Sequence, residues 1–282
     1  MDARLLVCLA HPDDEVFSCG GVMAQYRQRG ISTTLVCATR GEAGEVSDPA
    51  LANQDNLGLV RSQELARAAA ILGVDDLRFL GYRDSGMAGS ADNQHPAAYA
   101  AAPDTEVVNR LVRIIREIRP QVVVTFDPTG GYGHPDHIAI HRHTVAAVRQ
   151  AADPTFGDGE PWQAARLFYP VFNRDIFVAL RDQLIAQGDE PPKWGDNDDG
   201  TPDWPDQPVH AKIDVACVID AKWDALLSHR TQIGAGHPFL RVPEAFAKNL
   251  FVEEWFEQAW PDAKPVEPYS DLFEALELTP LG

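Results

Sequence analysis

The chain opens its first regular element with the stretch RLLVCLAHPDDE, residues 4–15, which joins an apolar run to an imidazole and three consecutive acidic side chains. The apolar part, RLLVCLA at 4–10, is typical of a buried strand, and the residues after it predict one helix that Gly30 ends. STTLVCAT at 32–39 predicts the next strand. The stretch therefore predicts a βαβ unit in which His11 lies where a strand turns into a helix.

The same alternation continues through the first half of the chain. LRFL at 77–80 and VVVTFD at 122–127 predict further strands, and the intervening segments near 61–73 and 105–118 have helical periodicity. This pattern predicts an α/β fold with a Rossmann-like, mainly parallel sheet and helices on both faces. Ligands of such sheets bind beyond the carboxyl ends of the strands, so functional residues are expected there.

The second half of the chain is less regular. PPKWGDNDDGTPDWPDQP at 191–208 is rich in Pro, Gly and Asp and predicts a surface excursion, after which KIDVACVID at 212–220 resumes the alternation. We expect a single domain over 1–282, with a Rossmann-like metal-binding core at 1–150. Residues 151–282 are expected to be a C-terminal extension that completes this domain.

Composition argues against several classes of partner. The 24 Lys and Arg against 42 Asp and Glu leave a formal charge of -18, which disfavours a surface for nucleic acid. No apolar stretch reaches the ~18 residues of a membrane span, and no signal-peptide pattern is present, so a cytoplasmic protein without a membrane partner is expected. A small-molecule substrate suits this composition, and a homo-oligomer is compatible with it.

A second cluster resembles the first. GGYGHPDHIAIH at 130–141 follows the strand VVVTFD, so HPDD and HPDH are expected at the same edge of the sheet. Two imidazoles and a carboxylate suit Zn²⁺ and leave one position open, as in catalytic sites. Asp13, Asp14 and Glu15 taken alone also fit a second interpretation, in which they only cap a helix.

AHPDDE paired with a distant HPDH resembles the PIG-L / LmbE-like family of zinc-dependent N-deacetylases. The resemblance covers about residues 4–150 and returns at KWDALLSHRTQI, 222–233. RSQE at 61–64 and YRDSGMAG at 82–89 are most similar to the family branch that acts on N-acetylglucosaminyl-inositol and on mycothiol S-conjugates. The resemblance implies a hydrolase that removes acetyl from an N-acetylglucosamine-type substrate and releases acetate and a free amine.

The resemblance also implies particular roles. One Zn²⁺ per subunit is expected, with Fe²⁺ or another divalent ion as the alternative, and its implied ligands are His11, Asp14 and His137. The implied catalytic residues are Asp13 as general base, His134 as a protonated donor to the oxyanion, Asp136 as its orienting partner, and Tyr132 as a second donor. The implied substrate-binding residues are Arg61 and Asp84. Glu45 and His229 are lesser candidates for substrate binding, and a structural role fits each of them at least as well.

Two other functions stay open from the sequence. The same site suits an amidase that cuts a larger mycothiol S-conjugate-type amide, which would release a cysteine conjugate instead of acetate. A Rossmann-like module that binds a sugar or nucleotide without catalysis is the other alternative. That module would need the acids only as helix caps and leaves the second cluster unexplained. Whether Asp13 alone or Asp13 with His134 handles the protons is likewise open.

Overall fold

The computed structural model describes residues 3–195, 197, 200–202, 204, 206–262 and 264–277. Within them one seven-stranded sheet has the order β3-β2-β1-β4-β5-β7-β6. Its strands are β1 (Arg4–Leu9), β2 (Ser32–Cys37), β3 (Asp76–Phe79), β4 (Val122–Thr125), β5 (Arg166–Val171), β6 (Ala211–Asp214) and β7 (Glu253–Trp260). Strands β1 to β5 pair in parallel, and β7 runs antiparallel to both β5 and β6. The mainly parallel sheet is therefore confirmed.

The helices form two packed groups. They are α1 (Asp14–Ser18), α2 (Gly20–Gln28), α3 (Leu57–Leu72), α4 (Asp104–Ile118), α5 (Gly130–Gly133), α6 (Pro135–Ala151), α7 (Arg174–Ala186), α8 (Ile219–Ser228) and α9 (Glu244–Asn249). Helices α2, α3 and α8 pack together, and α4 packs on α6. The chain adds β2 and β3 on one side of β1 and then adds β4 and β5 on the other side. Because parallel crossovers are right-handed, this change of direction places the two groups of helices on opposite faces of the sheet. No helix among the described residues has the length and apolar character to cross a membrane.

The prediction of a single helix after β1 is wrong, because the structure has two helices there, α1 and α2, which are separated at Cys19. Cys19 has φ −160°, which interrupts the helical backbone. The new helix start is stabilised from the C-terminal half of the chain. One carboxylate oxygen of Glu254 accepts from the N–H of Gly21 (2.7 Å), and the other accepts from the N–H of Val22 (2.8 Å).

The C-terminal half shares the sheet and the core with the first half. β5, β6 and β7 are paired into the same sheet, and Phe168 and Phe256 belong to the same buried cluster as Leu5. The two halves therefore contribute to one sheet and one core, and the expected division of the domain at about residue 150 stays a prediction.

The excursion expected at 191–208 is only partly a surface feature. Residues 196, 198, 199, 203 and 205 of this segment lie outside the described residues. In the described part, Trp194 and Trp204 contact the ring of Phe177 on α7, with centroids 5.5 and 5.1 Å apart. The segment therefore packs against α7, because its two indoles remove apolar surface from water there.

Helix α2 approaches Val215 closely, and this contact between the two halves of the chain can be tested. A Cβ atom at Gly21 would lie 2.6 Å from the side chain of Val215, whereas one at Gly20 would have its nearest neighbour at 3.4 Å. We expect Gly21→Ala to lower the free energy of unfolding by about 1–3 kcal/mol through overpacking. Urea denaturation measures this change, with Gly20→Ala as the control. Equal midpoints for the two variants would contradict the packing.

Candidate metal centre and active site

The two HPD segments meet because β1 and β4 are parallel neighbours. His11 and Asp14 follow the end of β1, and His137 lies in the first turn of α6, after β4. The Asp14 carboxylate is fixed locally, since its Oδ2 accepts from the N–H groups of Ala10 (3.1 Å) and His11 (2.7 Å). The tight turn after β1 thus aims a carboxylate at the end of the neighbouring strand.

His11, Asp14 and His137 form a compact, buried set of donor atoms. His11 Nδ1 lies 3.1 Å from His137 Nε2. One oxygen of Asp14 lies 3.3 Å from His137 Nε2, and the other lies 3.8 Å from His11 Nδ1. Ligand atoms about 2.0–2.1 Å from a tetrahedral zinc ion are roughly 3.3 Å apart, so this spacing fits such an ion with one position left open.

Contacts with residues outside the donor set orient the imidazoles of His11 and His137. His137 donates from Nδ1 to the carbonyl of Gly130 (3.1 Å), and its ring stacks on Phe126 with centroids 3.9 Å apart. His11 donates from Nε2 to the carboxylate of Asp136 (3.1 Å). When both rings are neutral, the nitrogen without a hydrogen in each ring therefore faces the other ring, which is the tautomer that a metal ligand requires.

His134 lies beside the same two rings, but its hydrogen bonds suit a donor to substrate better than a metal ligand. His11, His134 and His137 have ring nitrogens within 4.8 Å of one another, so they form a second possible metal-binding group. However, His134 Nδ1 accepts from the N–H of Asp136 (3.1 Å), which leaves Nε2 to carry the hydrogen. Burial and the neighbouring imidazoles lower the pKa of His134 to about 4. A neutral donor fits this ring better than the protonated one expected from the sequence.

Asp136 contacts a different histidine from the one expected. Its carboxylate oxygen Oδ2 accepts from His11 Nε2 and from the N–H of Ser85 (2.9 Å), whereas its contact with His134 is through the backbone N–H. Asp136 is fully buried. The side chain therefore orients a proposed metal ligand, and only its charge and its backbone act on His134.

Asp13 is held in an unusual conformation at the edge of this cluster. Its φ of 109° is rare for a residue other than glycine, and such strain concentrates at functional sites. The carboxylate lies 3.2 Å from the guanidinium of Arg61, which also donates to the carbonyls of Pro12 (2.6 Å) and Gly41 (2.9 Å). Burial raises the pKa of Asp13 to about 6, and Arg61 opposes that rise.

The other predicted substrate residues are distributed unevenly. Asp84 is buried with Oδ1 3.5 Å from His11 Nε2, and Tyr132 is 53% exposed beside the cluster. Glu45 is exposed, and its backbone carbonyl accepts from Gln232. His229 is fully buried and contacts Glu15. The structure thus brings Asp84 and Tyr132 to the cluster and places Glu45 and His229 elsewhere.

A cleft of about 680 Å³ opens from this cluster. Asp13, Asp14, Tyr132 and His137 line one part of it. Aromatic side chains form much of the remaining wall: Phe172, Phe177, Trp194, Trp204, Phe239 and Phe251. Sequence analysis missed this wall, although two tryptophans within a Pro- and Gly-rich segment were an available signal.

The sequence model of the PIG-L family, described as GlcNAc-PI de-N-acetylase, matches residues 6–148. The chain belongs to the PIG-L family. The matched segment contains both HPD clusters, most of β1 and all of β4, the two strands that the clusters follow, so family membership and the geometry of the cluster describe the same part of the molecule. The expectation of an enzyme that hydrolyses an amide C–N bond is confirmed at this level.

Similar proteins extend the match to nearly the whole chain. A 1D-myo-inositol 2-acetamido-2-deoxy-alpha-D-glucopyranoside deacetylase of Streptomyces scabiei is 41% identical over 97% of this chain and 90% of its own length. The protein of the same name from Thermobifida fusca is 42% identical over 90% and 92%. The N,N'-diacetylchitobiose deacetylase of Pyrococcus horikoshii shares the fold, with a TM-score of 0.63, 22% identity and coverage of 90% and 83%.

The contact between Asp136 and His11 predicts an effect on metal affinity. We expect Asp136→Asn to weaken Zn²⁺ binding by about 10- to 100-fold, because it removes the negative charge that orients and polarises a ligand imidazole. Competition with a chromophoric chelator measures the affinity.

Asp104→Asn is the matched control, since it alters a carboxylate contact of 3.1 Å to a different imidazole, that of His143. Equal zinc affinity in the two variants would contradict the role assigned to Asp136.

Proposed function

We propose that this protein is a zinc-dependent hydrolase that removes the acetyl group from an N-acetylglucosaminyl-inositol-type substrate. The observation that carries the proposal is the convergence of His11, Asp14 and His137, with Asp13 beside them, at a cleft whose wall includes Asp13, Asp14 and His137. The names of the two bacterial relatives support this substrate class.

His11, Asp14 and His137 would hold the ion, and the buried donor set of two imidazoles and one carboxylate suits Zn²⁺. When bound, the ion polarises the acetamide carbonyl and makes water more acidic. Fe²⁺ offers similar chemistry with the same ligands.

Asp13 is the proposed base for the attack of water on the carbonyl carbon. Its carboxylate lines the cleft, and Arg61 holds it in place. As the oxygen of water bonds to carbon, its proton passes to Asp13. When the C–N bond breaks, the proton passes from Asp13 to the departing nitrogen, so that acetate and the free amine are the products.

His134 and Tyr132 are the proposed donors to the oxyanion that develops during this attack. His134 in its neutral form carries a hydrogen on Nε2, and this nitrogen lies 4.0 Å from Asp84. Tyr132 lies over His137 with ring centroids 5.0 Å apart. A preorganised donor is most effective where charge develops, so a neutral imidazole N–H serves this role without taking part in proton transfer. We assign Arg61 to the support of Asp13, because its guanidinium lies 3.2 Å from that carboxylate.

Replacement of the proposed base tests this mechanism. Asp13→Asn is expected to lower kcat for acetate release from N-acetylglucosaminyl-inositol by about 10²- to 10⁴-fold, because the amide cannot accept the proton. Zinc content should stay stoichiometric in Asp13→Asn and fall in His11→Ala, as measured by atomic emission.

Asp224→Asn, an exposed change on α8, is the control for the loss of a charge. The proposed function is wrong if the zinc-loaded wild-type protein releases no acetate. The assignment of the base alone is wrong if Asp13→Asn keeps near wild-type activity.

The aromatic wall favours a second candidate function, the hydrolysis of a larger thiol-conjugate amide. An N-acetylglucosaminyl-inositol group offers little apolar surface to Trp204 and Phe177, whereas an aromatic thiol conjugate would bury such surface against them. The same ligands and base would serve, and the product would be a cysteine conjugate.

Trp204→Ala separates the two candidates. We expect it to raise KM for an aromatic thiol conjugate by about tenfold or more, since that variant loses apolar contact, and to leave KM for N-acetylglucosaminyl-inositol nearly unchanged. Product release followed by chromatography gives both constants. Trp260→Ala, at a position 40% exposed on β7, is the control. An unchanged KM for the conjugate would exclude this use of the wall.

A further inference from the structure

The strained backbone of Asp13 is held by a buried pair that the proposed chemistry does not use. The N–H of Asp13 donates to Oε2 of Glu15 at 2.9 Å. The other oxygen of Glu15, Oε1, lies 2.6 Å from Nε2 of His229, which is 214 residues away in the chain. Glu15 and His229 are 1% and 0% exposed. The two oxygens of one carboxylate therefore connect the backbone of Asp13 to the C-terminal half of the molecule.

His229 is itself fixed from several directions. It follows α8, and its N–H donates to the carbonyl of Leu226 (3.1 Å). Two residues later, Thr231 donates from its N–H and its hydroxyl to the two oxygens of Glu64 on α3, at 2.9 and 2.6 Å. The N–H of Ser47 donates to the carbonyl of Thr231 (2.9 Å). The imidazole therefore reaches Glu15 from a segment that is bonded to α3 and to the loop after β2.

The contacts of Asp13 divide between its side chain and its backbone. Arg61 holds the carboxylate, and Glu15 holds the N–H. A residue other than glycine keeps a positive φ only when its surroundings impose it. Release of the N–H would allow φ to return to negative values, and that rotation would displace the carboxylate from the proposed water position. A displacement of about 1 Å at a reacting group can cost roughly 100-fold in rate.

We propose that Glu15 and His229 are positioning residues, which hold the backbone of Asp13 at positive φ and so aim its carboxylate for proton transfer. The inference rests on the proposed function for the role of Asp13. It replaces the substrate-binding role expected for His229, because a fully buried imidazole bonded to Glu15 does not reach the cleft wall.

Four variants of the pair test the proposal on the zinc-loaded protein. Glu15→Ala and His229→Leu remove the contact, and we expect them to lower kcat for acetate release by about 10- to 100-fold while KM changes little. Glu15→Gln and His229→Gln keep an acceptor for Asp13 and a donor for Glu15, and we expect them to recover most of the rate. Loss of zinc or of substrate affinity with kcat unchanged would overturn the proposal.

A double-mutant cycle distinguishes positioning from a general structural role. If the pair acts through Asp13, Glu15→Ala should have almost no further effect on kcat in the Asp13→Asn background. The same fold-loss in both backgrounds would overturn the proposal. Thr231→Val, which weakens only the anchor of the segment, is the variant to use if the first two do not fold, and a smaller loss of kcat is expected from it. An unchanged kcat in that case would also overturn the proposal.

A structural readout makes the test independent of the substrate. In a crystal structure of Glu15→Ala or His229→Leu, φ of Asp13 should move to negative values, and an unchanged φ would overturn the proposal. If the wild-type protein fails to release acetate from the inositol substrate, the proposed function fails, while this measurement still decides whether the pair controls the backbone of Asp13.

Discussion

The parallel pairing of β1 with β4 is the constraint on which the site depends. Its register, from Leu5 opposite Val122 to Cys8 opposite Thr125, brings both strands to their carboxyl ends at the same level. Two segments 126 residues apart in sequence therefore place His11 and His137 within 3.1 Å. A slip in this register would separate the two imidazoles and so break up the proposed ligand set.

The cluster concentrates acidic side chains in a chain that already carries a formal charge of -18. Burial of a charge is costly unless a partner compensates it. Asp14 receives backbone N–H groups, Asp13 has Arg61, and Glu15 has His229. Hydrogen-bond donors and basic side chains thus make an acid-rich turn tolerable in the interior. It also gives each carboxylate a different environment, so neighbouring acids perform different functions.

The C-terminal half contributes to the site without supplying a proposed metal ligand. It adds three strands to the sheet, it provides Glu254 at the start of α2, and it supplies much of the aromatic wall of the cleft. It also supplies His229, which reaches the backbone next to the proposed base through Glu15. The chemistry therefore belongs to the first half, while the shape of the cleft and the support of Asp13 come largely from the second.

The sequence by itself determined the α/β alternation, the parallel sheet and the presence of two HPD clusters at strand ends. Hydrophobic periodicity and the alternation of strands and helices along the chain are local properties, so they can be recognised in the sequence. Only the tertiary structure decided which side chains are in contact. It paired the Asp136 carboxylate with His11 and the buried imidazole of His229 with Glu15. It also ended a helix at Cys19. These outcomes depend on side-chain rotamers and on contacts between distant segments, which no spacing along the chain encodes.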